Sequence, residues 1–275
     1  MHAILERLQH SATLRSLVTN GETAILMAAG FGVLMFLIER AAGAETRQYR
    51  TRWFWQDIAY WVVNGTGIFR LLSATMLLTL LQRAIPTLQS HLIDGWPGWA
   101  RYAVYWGGYD FLFYWVHRWQ HSNRWLWAFH ATHHAQEEMS YATTARSHPV
   151  EQWCYSVLIF LPLLALGAAP TVWLPLQLTQ QFLFVMTHCR LDWRFGPLNK
   201  VVVSPTFHSV HHSLKPEHHD RNFSGIFSFW DYLFGTAVDV PHREKVYGLR
   251  DVKMPTLWSS LFTPFKMLRK PTRIH

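Results

Sequence analysis

Apolar residues along this chain fall into five long blocks, and most charged residues lie in the short stretches between them. The blocks cover roughly residues 23–38, 58–81, 99–116, 150–166 and 172–187. A helix of about 20 apolar residues is long enough to cross the hydrocarbon core of a bilayer. The fourth and fifth blocks are shorter, so they are either two full crossings or a hairpin that enters and returns. The pattern predicts an all-α fold, an integral membrane helical bundle with about four or five spanning segments.

The distribution of arginine predicts how such a bundle is oriented. The connection between the first two blocks holds four arginines: Arg40, Arg47, Arg50 and Arg52. The next connection is flanked by Arg83 and Arg101 and contains Asp94. Because short cytoplasmic loops are enriched in Lys and Arg, the first connection is predicted to be cytoplasmic. Each crossing moves the chain to the other side of the membrane. Residues 117–149 and all residues after His188 are therefore also predicted to face the cytoplasm, where they form a cap.

Composition narrows the classes of partner and of metal site. The 275-residue chain has a net charge of +8, and half of its residues are hydrophobic. Its basic residues form no basic helix or finger pattern, which argues against nucleic acid as a partner. Those near the C-terminus are expected to attract lipid headgroups or, alternatively, to dock an acidic protein; they are Lys266, Arg269, Lys270 and Arg273. The only two cysteines, Cys154 and Cys189, are too few for a thiolate metal site and are expected to be buried.

Histidines recur at helical spacing in three segments. These are HRWQH at 117–121, HATHH at 130–134 and HSVHH at 208–212, and a further histidine, His188, ends the fifth block. Residues i, i+3 and i+4 of a helix share one face, with Cβ atoms about 5–6 Å apart. Each segment can therefore aim two or three imidazoles at one point, and several segments together can hold metal ions, as facing helices do in dinuclear bundles. Unrelated surface histidines are the alternative, but chance rarely produces such a set in one chain.

The ligand type limits which metals fit. An all-imidazole set excludes cysteine-rich zinc sites and iron–sulfur clusters, but imidazole itself suits iron, zinc, copper and nickel. Eight or nine clustered histidines exceed the four to six ligands that one metal ion takes, so we expect two metal ions. Iron is preferred for oxygen chemistry because zinc has no redox change. A zinc-dependent hydrolase remains possible on ligand chemistry alone.

These segments resemble the motifs of the fatty acid hydroxylase and sterol desaturase superfamily, the membrane-bound, histidine-rich, non-haem di-iron oxygenases. The first two histidine motifs correspond to DFLFYWVHRWQH at 110–121 and LWAFHATHH at 126–134. The segment that follows these motifs in the family corresponds to ARSHPVE at 145–151. The last histidine motif corresponds to SPTFHSVHH at 204–212, and the stretch that follows it corresponds to DRNFSGIFSFWDYLFGT at 220–236. The resemblance predicts a catalytic domain at 99–240, between N-terminal membrane segments at 1–98 and a basic cytoplasmic tail at 241–275.

The resemblance also implies a ligand set and a reaction. Nine histidines are expected to ligate two irons: His117, His121, His130, His133, His134, His188, His208, His211 and His212. Some relatives have another histidine four residues after the position of His188; here it is Asp192, which we expect to be an ordinary helix-end residue. The implied activity is O2-dependent hydroxylation or desaturation of an unactivated C–H bond in a membrane lipid, such as a sterol or a fatty acyl chain. The chain has no haem motif, so a separate ferredoxin, cytochrome or reductase is expected to supply electrons.

Three other residues are candidates for supporting the metal ligands. Asp110 lies two helical turns before His117 and is positioned either to accept an imidazole N–H or to play a structural part in the bundle. His148, which precedes a proline, is a candidate for the second layer around the metals or for the entrance. Asn222 is expected to orient a histidine or a bound water. His218 and His219 lie among charged residues and are expected to be in a solvated loop.

Two functions of other classes compete with a lipid oxygenase. A zinc-dependent membrane hydrolase with the same ligands predicts activity without oxygen or reductant. A non-enzymatic metal transporter or sensor predicts polar residues along several spanning helices, whereas the histidines here are concentrated in one region.

Overall fold

The computed structural model describes residues 12–65, 93–160, 162–163, 166 and 170–269. Within those ranges the regular structure is helical, with one isolated β-bridge between Ser213 and Tyr247. The first four helices are α1 (Ala12–Ala41), α2 (Arg52–Gly65), α3 (Gly98–Ser122) and α4 (Arg124–His134). The next five are α5 (Pro149–Tyr155), α6 (Pro170–His188), α7 (Pro205–His211), α8 (Phe229–Leu233) and α9 (Leu257–Arg269).

The apolar blocks coincide with helices where the structure describes them. The first block lies within α1, the third within α3 and the fifth within α6, while the fourth is α5 followed by a π-helical turn at Ser156–Phe160. Only the start of the second block is described, as α2, because residues 66–92 lie outside the described ranges. The all-helical prediction therefore agrees with the structure.

The prediction of spanning segments is wrong for the described part of the chain. Among the helices in residues 12–65, 93–160 and 170–269, none combines the length and the apolar character needed to cross a membrane. The same finding contradicts the predicted multi-pass location and the cytoplasmic orientation that was derived from it. The cause is visible in α3, where the block owes its apolar count largely to Trp and Tyr. Tyr105, Tyr109 and Tyr114 are buried in a protein core, and Asp110 is buried among them.

Three apolar clusters hold the helices around the histidine segments. The first joins α1, α2, α6 and the 3-10 turn Tyr141–Ala145 through residues such as Met35, Trp61 and Tyr141. In the second, Tyr105 and Tyr109 of α3 pack against Ile159 of the π-helical turn. The third joins α4 to α9 and includes Trp127, Ala131 and Met267. The N-terminal and C-terminal segments are thereby packed against the part of the chain that carries the histidines.

A side-chain cap defines where the histidine-bearing helix α4 begins. α3 continues six residues past the predicted block, to Ser122, so both His117 and His121 are helical. Asn123 separates α3 from α4, and its side-chain oxygen accepts the backbone N–H groups of Trp125 and Leu126 at 2.9 and 3.2 Å. Such an N-cap satisfies N–H groups that the first turn of a helix cannot pair. It allows α4 to start immediately after α3.

A fully buried ion pair links four parts of the fold. Arg146, with no exposed surface, donates to Asp57 of α2 at 3.1 Å and to the carbonyl of Thr132 in α4 at 2.8 Å. Its other terminal nitrogen donates to the carbonyl of Met254 and the hydroxyl of Ser260 at 3.2 and 3.3 Å. A buried guanidinium is stable only when it is paired and fully hydrogen-bonded. The burial of Arg146 therefore depends on the carboxylate of Asp57.

We expect Asp57→Ala to destabilise the protein by about 3–5 kcal/mol, because the substitution leaves the Arg146 charge buried without its partner. The free energy of unfolding, measured with a chemical denaturant, tests this. Lys253→Ala is the control, since it removes an ion pair to Glu137 whose lysine is 62% exposed. That change is expected to cost less than about 1 kcal/mol. Equal stability of the two variants would contradict the role given to the buried pair.

Candidate metal centre

The nine predicted histidines come together as two clusters. The five-histidine cluster consists of His117, His121, His130, His134 and His211. The four-histidine cluster consists of His133, His188, His208 and His212. Within each cluster one nitrogen per residue lies within 4.8 Å of all the others. His188, the member with no neighbouring histidine in sequence, lies in the second cluster beside His208, at 3.1 Å between Nε2 atoms.

Each H-x-x-H-H segment contributes to both clusters. His130 and His134 of α4 point into the five-histidine cluster, whereas His133 points into the four-histidine cluster. In the last segment the division is reversed, with His208 and His212 in the four-histidine cluster and His211 in the other. Successive residues of a helix are rotated by about 100°, so neighbouring histidines must face different directions while i and i+4 share a face. The segments therefore bridge two adjacent sites.

Acceptor groups fix the orientation of five of these imidazoles. The Nδ1 atoms of His117, His211, His133 and His188 lie 2.7–3.0 Å from backbone carbonyls of Phe223, Arg221, Arg146 and Phe184, respectively. The Nδ1 atom of His130 lies 2.6 Å from Oε1 of Glu151. A carbonyl oxygen can only accept, so each Nδ1 carries the proton. The Nε2 atom of a neutral ring in that tautomer presents a lone pair.

These lone pairs face one another. The Nε2 atoms of His117 and His130 are 3.1 Å apart, and those of His133 and His188 are 3.4 Å apart. Two acceptor atoms at that separation repel unless a cation lies between or beside them. In addition, Nε2 of His211 is buried and has no hydrogen-bond partner. The arrangement suits a metal site, since metal-binding histidines commonly donate the other ring N–H to a carbonyl or carboxylate.

Burial keeps the clustered imidazoles in the neutral form that binds metal. Burial is the largest cause that lowers the pKa of six of them well below the usual value, and repulsion from neighbouring imidazoles lowers the pKa further. These six are His117, His133, His134, His208, His211 and His212. Burial also lowers the pKa of His188 to about 4. Metal ligation requires the neutral imidazole, so the protein supplies these ligands without having to remove protons at neutral pH.

The loop at residues 220–224 makes three contacts with histidines of the five-histidine cluster. The carbonyls of Arg221 and Phe223 accept the Nδ1 protons of His211 and His117, and a carboxyl oxygen of Asp220 lies 3.5 Å from Nδ1 of His121. Asp220 and Asn222 have positive φ angles of 58° and 56°, and the carbonyls of the residues that follow them, Arg221 and Phe223, are the two that face the site. Asp and Asn tolerate this left-handed conformation better than most residues.

Asn222 acts on that loop and contacts no histidine. Its Nδ2 donates to the carbonyls of Phe207 and Val238, both at 2.8 Å, and its Oδ1 accepts the N–H of Val238 at 2.7 Å. Its side chain therefore hydrogen-bonds backbone groups, so its predicted effect on a histidine passes through the loop. It positions the two neighbouring carbonyls that orient His117 and His211.

Asp110 likewise binds backbone, which is the structural one of the two roles predicted for it. Its two oxygens accept the N–H groups of Ile226 and Phe227, both at 2.9 Å, and the indole N–H of Trp230 at 3.1 Å. Burial, opposed by these hydrogen bonds, raises the pKa of Asp110 to about 7. The Nδ1 N–H of His117 donates instead to the carbonyl of Phe223, at 2.7 Å.

His148, Asp192 and His218 lie outside both clusters. His148 caps α5, with Nδ1 accepting the N–H of Val150 at 3.1 Å, and its Nε2 lies 3.2 Å from the carbonyl of Leu261. Asp192 lies four residues beyond the end of α6 and accepts the N–H of Arg243 at 2.7 Å. His218 is 5% exposed, so the expectation of a solvated loop is wrong at that position.

Glu151 is the site residue that the sequence reasoning did not single out. It is 2% exposed, accepts the Nδ1 proton of His130 at 2.6 Å and accepts from Gln120 at 3.4 Å. Arg146 was also missed, although its carbonyl orients His133. The sequence signal for both was a charged residue at the start of an apolar block. The histidine that each of them orients lies thirteen or more residues away in the chain, so periodicity does not reveal the pairing.

Two cavities reach different subsets of the histidines. The first, here called the aromatic cavity, has a volume of about 210 Å³. Its walls are the rings of Trp61, Tyr109, Phe113, Tyr155 and Phe184, with His117, His130, His133, His188 and His208 at one side. The second has a volume of about 470 Å³ and is lined by His121, His134, His211, His212 and residues of the C-terminal segment such as Leu249, Arg250 and Met267.

Comparison with known proteins assigns this region to a family. Residues 102–236 match the family model described as fatty acid hydroxylase. The chain carries a fatty acid hydroxylase domain. All nine clustered histidines lie inside the matched range, as do Asp110, Glu151 and Asn222. The predicted resemblance is confirmed.

Three related proteins are, by name, a monooxygenase, a hydroxylase and a decarbonylase. Alkylglycerol monooxygenase from Xenopus tropicalis is 34% identical over 158 residues, which is 56% of this chain and 33% of that protein. Ornithine lipid hydroxylase OlsE from Rhizobium tropici is 29% identical over 214 residues, 76% of this chain and 65% of that protein. A very-long-chain aldehyde decarbonylase from Oryza sativa subsp. indica is 30% identical over 143 residues, 48% and 22% of the two chains.

The match covers about a third of the length of the alkylglycerol monooxygenases, 33% of the protein from Xenopus tropicalis and 38% of that from Danio rerio. No solved structure matches the chain.

We expect His211→Ala and His208→Ala, one from each cluster, to weaken metal binding by at least about 100-fold, since losing even an outer partner of a ligand costs about 10–100-fold. Metal titration and elemental analysis of the purified protein provide the measurement. His242→Ala is the matched control, because His242 is 81% exposed and pairs with Asp192 outside the clusters. Unchanged metal content in both cluster variants would contradict the ligand assignment.

Asn222→Ala is expected to weaken metal binding by about 10–100-fold, because the loop loses the bonds that aim the carbonyls at His117 and His211. Asn222→Gly, which adopts positive φ without strain, separates the two contributions. Recovery in the glycine variant would assign the effect to backbone conformation, and no recovery would assign it to the side-chain hydrogen bonds. Metal affinity equal to wild type in the alanine variant would refute the loop's role.

Proposed function

We propose that the chain is an oxidoreductase that uses two irons, one in each histidine cluster, to hydroxylate or desaturate an unactivated C–H bond of a lipid with O2. The observation that carries the proposal is the pair of adjacent, buried, all-imidazole clusters whose Nε2 lone pairs converge. Five and four nitrogens suit two separate metal ions better than one. The names of the relatives, monooxygenase and hydroxylase, support oxidative chemistry.

Iron fits the proposed chemistry better than zinc does. Zinc sites with only protein ligands take four of them in a closed tetrahedron, and zinc has no redox change. The five-histidine cluster exceeds that number. Bound iron would supply the activation of dioxygen and the removal of a hydrogen atom from the substrate, which no protein side chain can perform.

The protein residues hold, orient and shield this chemistry. The nine imidazoles would bind the metals, while carbonyls and Glu151 keep the opposite ring nitrogens of five of them protonated and those rings fixed. The rings that line the aromatic cavity exclude water and offer an apolar surface for part of a lipid chain. Keeping water away protects a reactive site from side reactions.

The substrate class and the electron source are part of the proposal. The relatives act by name on alkylglycerol and ornithine lipid, so lipids of these kinds are the first substrates to test. Converting C–H to C–OH with O2 also yields water and consumes two electrons and two protons from outside. With only two cysteines, both buried and free, the chain offers no iron–sulfur motif to supply those electrons. A separate ferredoxin, cytochrome or reductase is the proposed donor.

We expect the iron-loaded protein, supplied with a reductase system and an alkylglycerol or aminolipid mixture, to transfer one atom of isotopically labelled dioxygen into a lipid or to remove two hydrogens from it. Mass spectrometry distinguishes the two products. The reaction is expected to stop under anaerobic conditions or without reductant. Turnover by zinc-loaded protein without oxygen would instead establish a hydrolase. Metal binding with no lipid turnover under any condition would contradict the proposed enzyme.

A further inference from the structure

Two rings of the aromatic cavity lie beside a clustered histidine. Phe113 and Phe184 are both partly exposed and line the cavity, and their ring centroids are 5.3 Å apart. The ring of Phe113 also lies 5.3 Å from that of His117, which belongs to the five-histidine cluster. A molecule in the cavity therefore touches these two rings at the end where it would approach the metal-binding imidazoles.

Gly225 is buried and packs against the same two rings without lining the cavity itself. A Cβ atom at this position would lie 2.7 Å from Cε1 of Phe184 and 3.0 Å from Cδ1 of Phe113. Carbon atoms in contact prefer a separation of about 3.5–4.0 Å, so a side chain here would displace the rings. The φ angle of Gly225 lies outside the left-handed region, so the backbone does not require glycine. The residue matters for the space that it leaves free.

The backbone around Gly225 is held on both sides. The N–H of Ser224 donates to the carboxylate of Asp231 at 2.9 Å, and the N–H of Ile226 donates to that of Asp110, also at 2.9 Å. Both carboxylates are fully buried. Moving the loop away from the rings would break these bonds and leave buried polar groups unpaired, which is costly. A side chain added at Gly225 would therefore move the rings and not the loop.

The rings would move into the cavity, because it is the open space beside them. Phe113 is packed on Tyr109 and Tyr155, with ring centroids 6.2 and 5.7 Å away. A cavity of about 150 Å³ accepts a benzene ring, so the cavity of about 210 Å³ accepts a stretch of about eight chain carbons. On the same scale one methyl group takes about 25 Å³. The absent side chain of Gly225 thus accounts for roughly a tenth of the space available to a hydrocarbon chain.

We propose that Gly225 determines substrate specificity by setting the width of the aromatic cavity beside His117. The cavity accepts the hydrocarbon chain of a lipid, and Gly225 limits how much methyl branching that chain can carry. Gly225 does not touch the substrate, so it is a positioning residue that acts through Phe113 and Phe184. This inference rests on the proposed function, because it assumes a lipid substrate, and it specifies the shape of the chain that is oxidised.

The test compares the affinities of the metal-loaded protein for two lipids that differ only in chain branching. Hexadecyl glycerol ether has an unbranched chain, and phytanyl glycerol ether has the same backbone length with methyl branches spaced along it. Equilibrium binding is measured in detergent without reductant, so that neither probe is consumed. The quantity compared is the branching ratio, the dissociation constant of the branched probe divided by that of the unbranched one. General effects of folding or metal content cancel in this ratio, since both probes experience them.

Gly225→Ala is expected to raise the branching ratio by at least about fivefold, because a narrower cavity excludes the wider chain more strongly. Phe184→Leu removes the ring atoms that the new Cβ would contact, so this variant is expected to lower the ratio. In the double variant the two changes offset each other, and the ratio is expected to return to within about twofold of wild type. Gly98→Ala, the same substitution at an exposed position where a Cβ meets no described atom within 4 Å, is the control and is expected to leave the ratio unchanged.

A wild-type branching ratio in Gly225→Ala, or binding of neither probe by the wild-type protein, would overturn the inference. A raised ratio that Phe184→Leu does not reverse would also overturn it, because the effect would then not pass through that ring. Transfer of labelled oxygen to both probes with the same selectivity in wild type and Gly225→Ala would sink the inference and leave the proposed function intact. The expected changes in ratio, found in a protein that oxidises no lipid, would contradict the proposed function alone.

Discussion

The constraint that organises this structure is that a converging imidazole needs an acceptor behind it to fix its orientation, and five of the nine clustered histidines have one. A neutral imidazole presents a lone pair inward when its proton stays on the other nitrogen, which donates to a fixed partner. Four of the five partners are backbone carbonyls, of Phe223, Arg221, Arg146 and Phe184. Backbone carbonyls cannot be placed by choosing a side chain. The chain segments that carry them must therefore be held rigidly, and buried side chains such as Asp231 and Arg146 serve that purpose.

Two buried carboxyl groups show how the rigidity is obtained. Asp231 accepts the N–H groups of Phe223 and Ser224 at 2.8 and 2.9 Å, and Asp110 accepts those of Ile226 and Phe227. Consecutive N–H groups of the loop are thus satisfied by side chains instead of by secondary structure. Arg146 does the equivalent for the segment behind His133, since its guanidinium is anchored to Asp57 and its own carbonyl orients the ring.

The sequence predicted which histidines come together but not the groups that support them, for a physical reason. The i, i+4 spacing places His117 with His121 and His130 with His134 on shared helix faces, so local geometry alone brings them together. The supports depend on contacts between distant segments, such as Asp110 with Ile226, which no periodicity reveals. The spanning-helix prediction failed because Trp and Tyr raise the apolar count of a block as Leu does. In α3 the tyrosines Tyr105, Tyr109 and Tyr114 pack inside the protein.

Because each H-x-x-H-H segment contributes histidines to both clusters, the two clusters cannot move independently of each other. His133 and His134 are neighbours on α4, yet they serve different clusters, and the same is true of His211 and His212. A shift of either segment therefore displaces a nitrogen in both clusters at once. Metal ions bound in the two clusters would be held at a separation set by the backbone of α4 and α7, which fixes the directions of these four side chains.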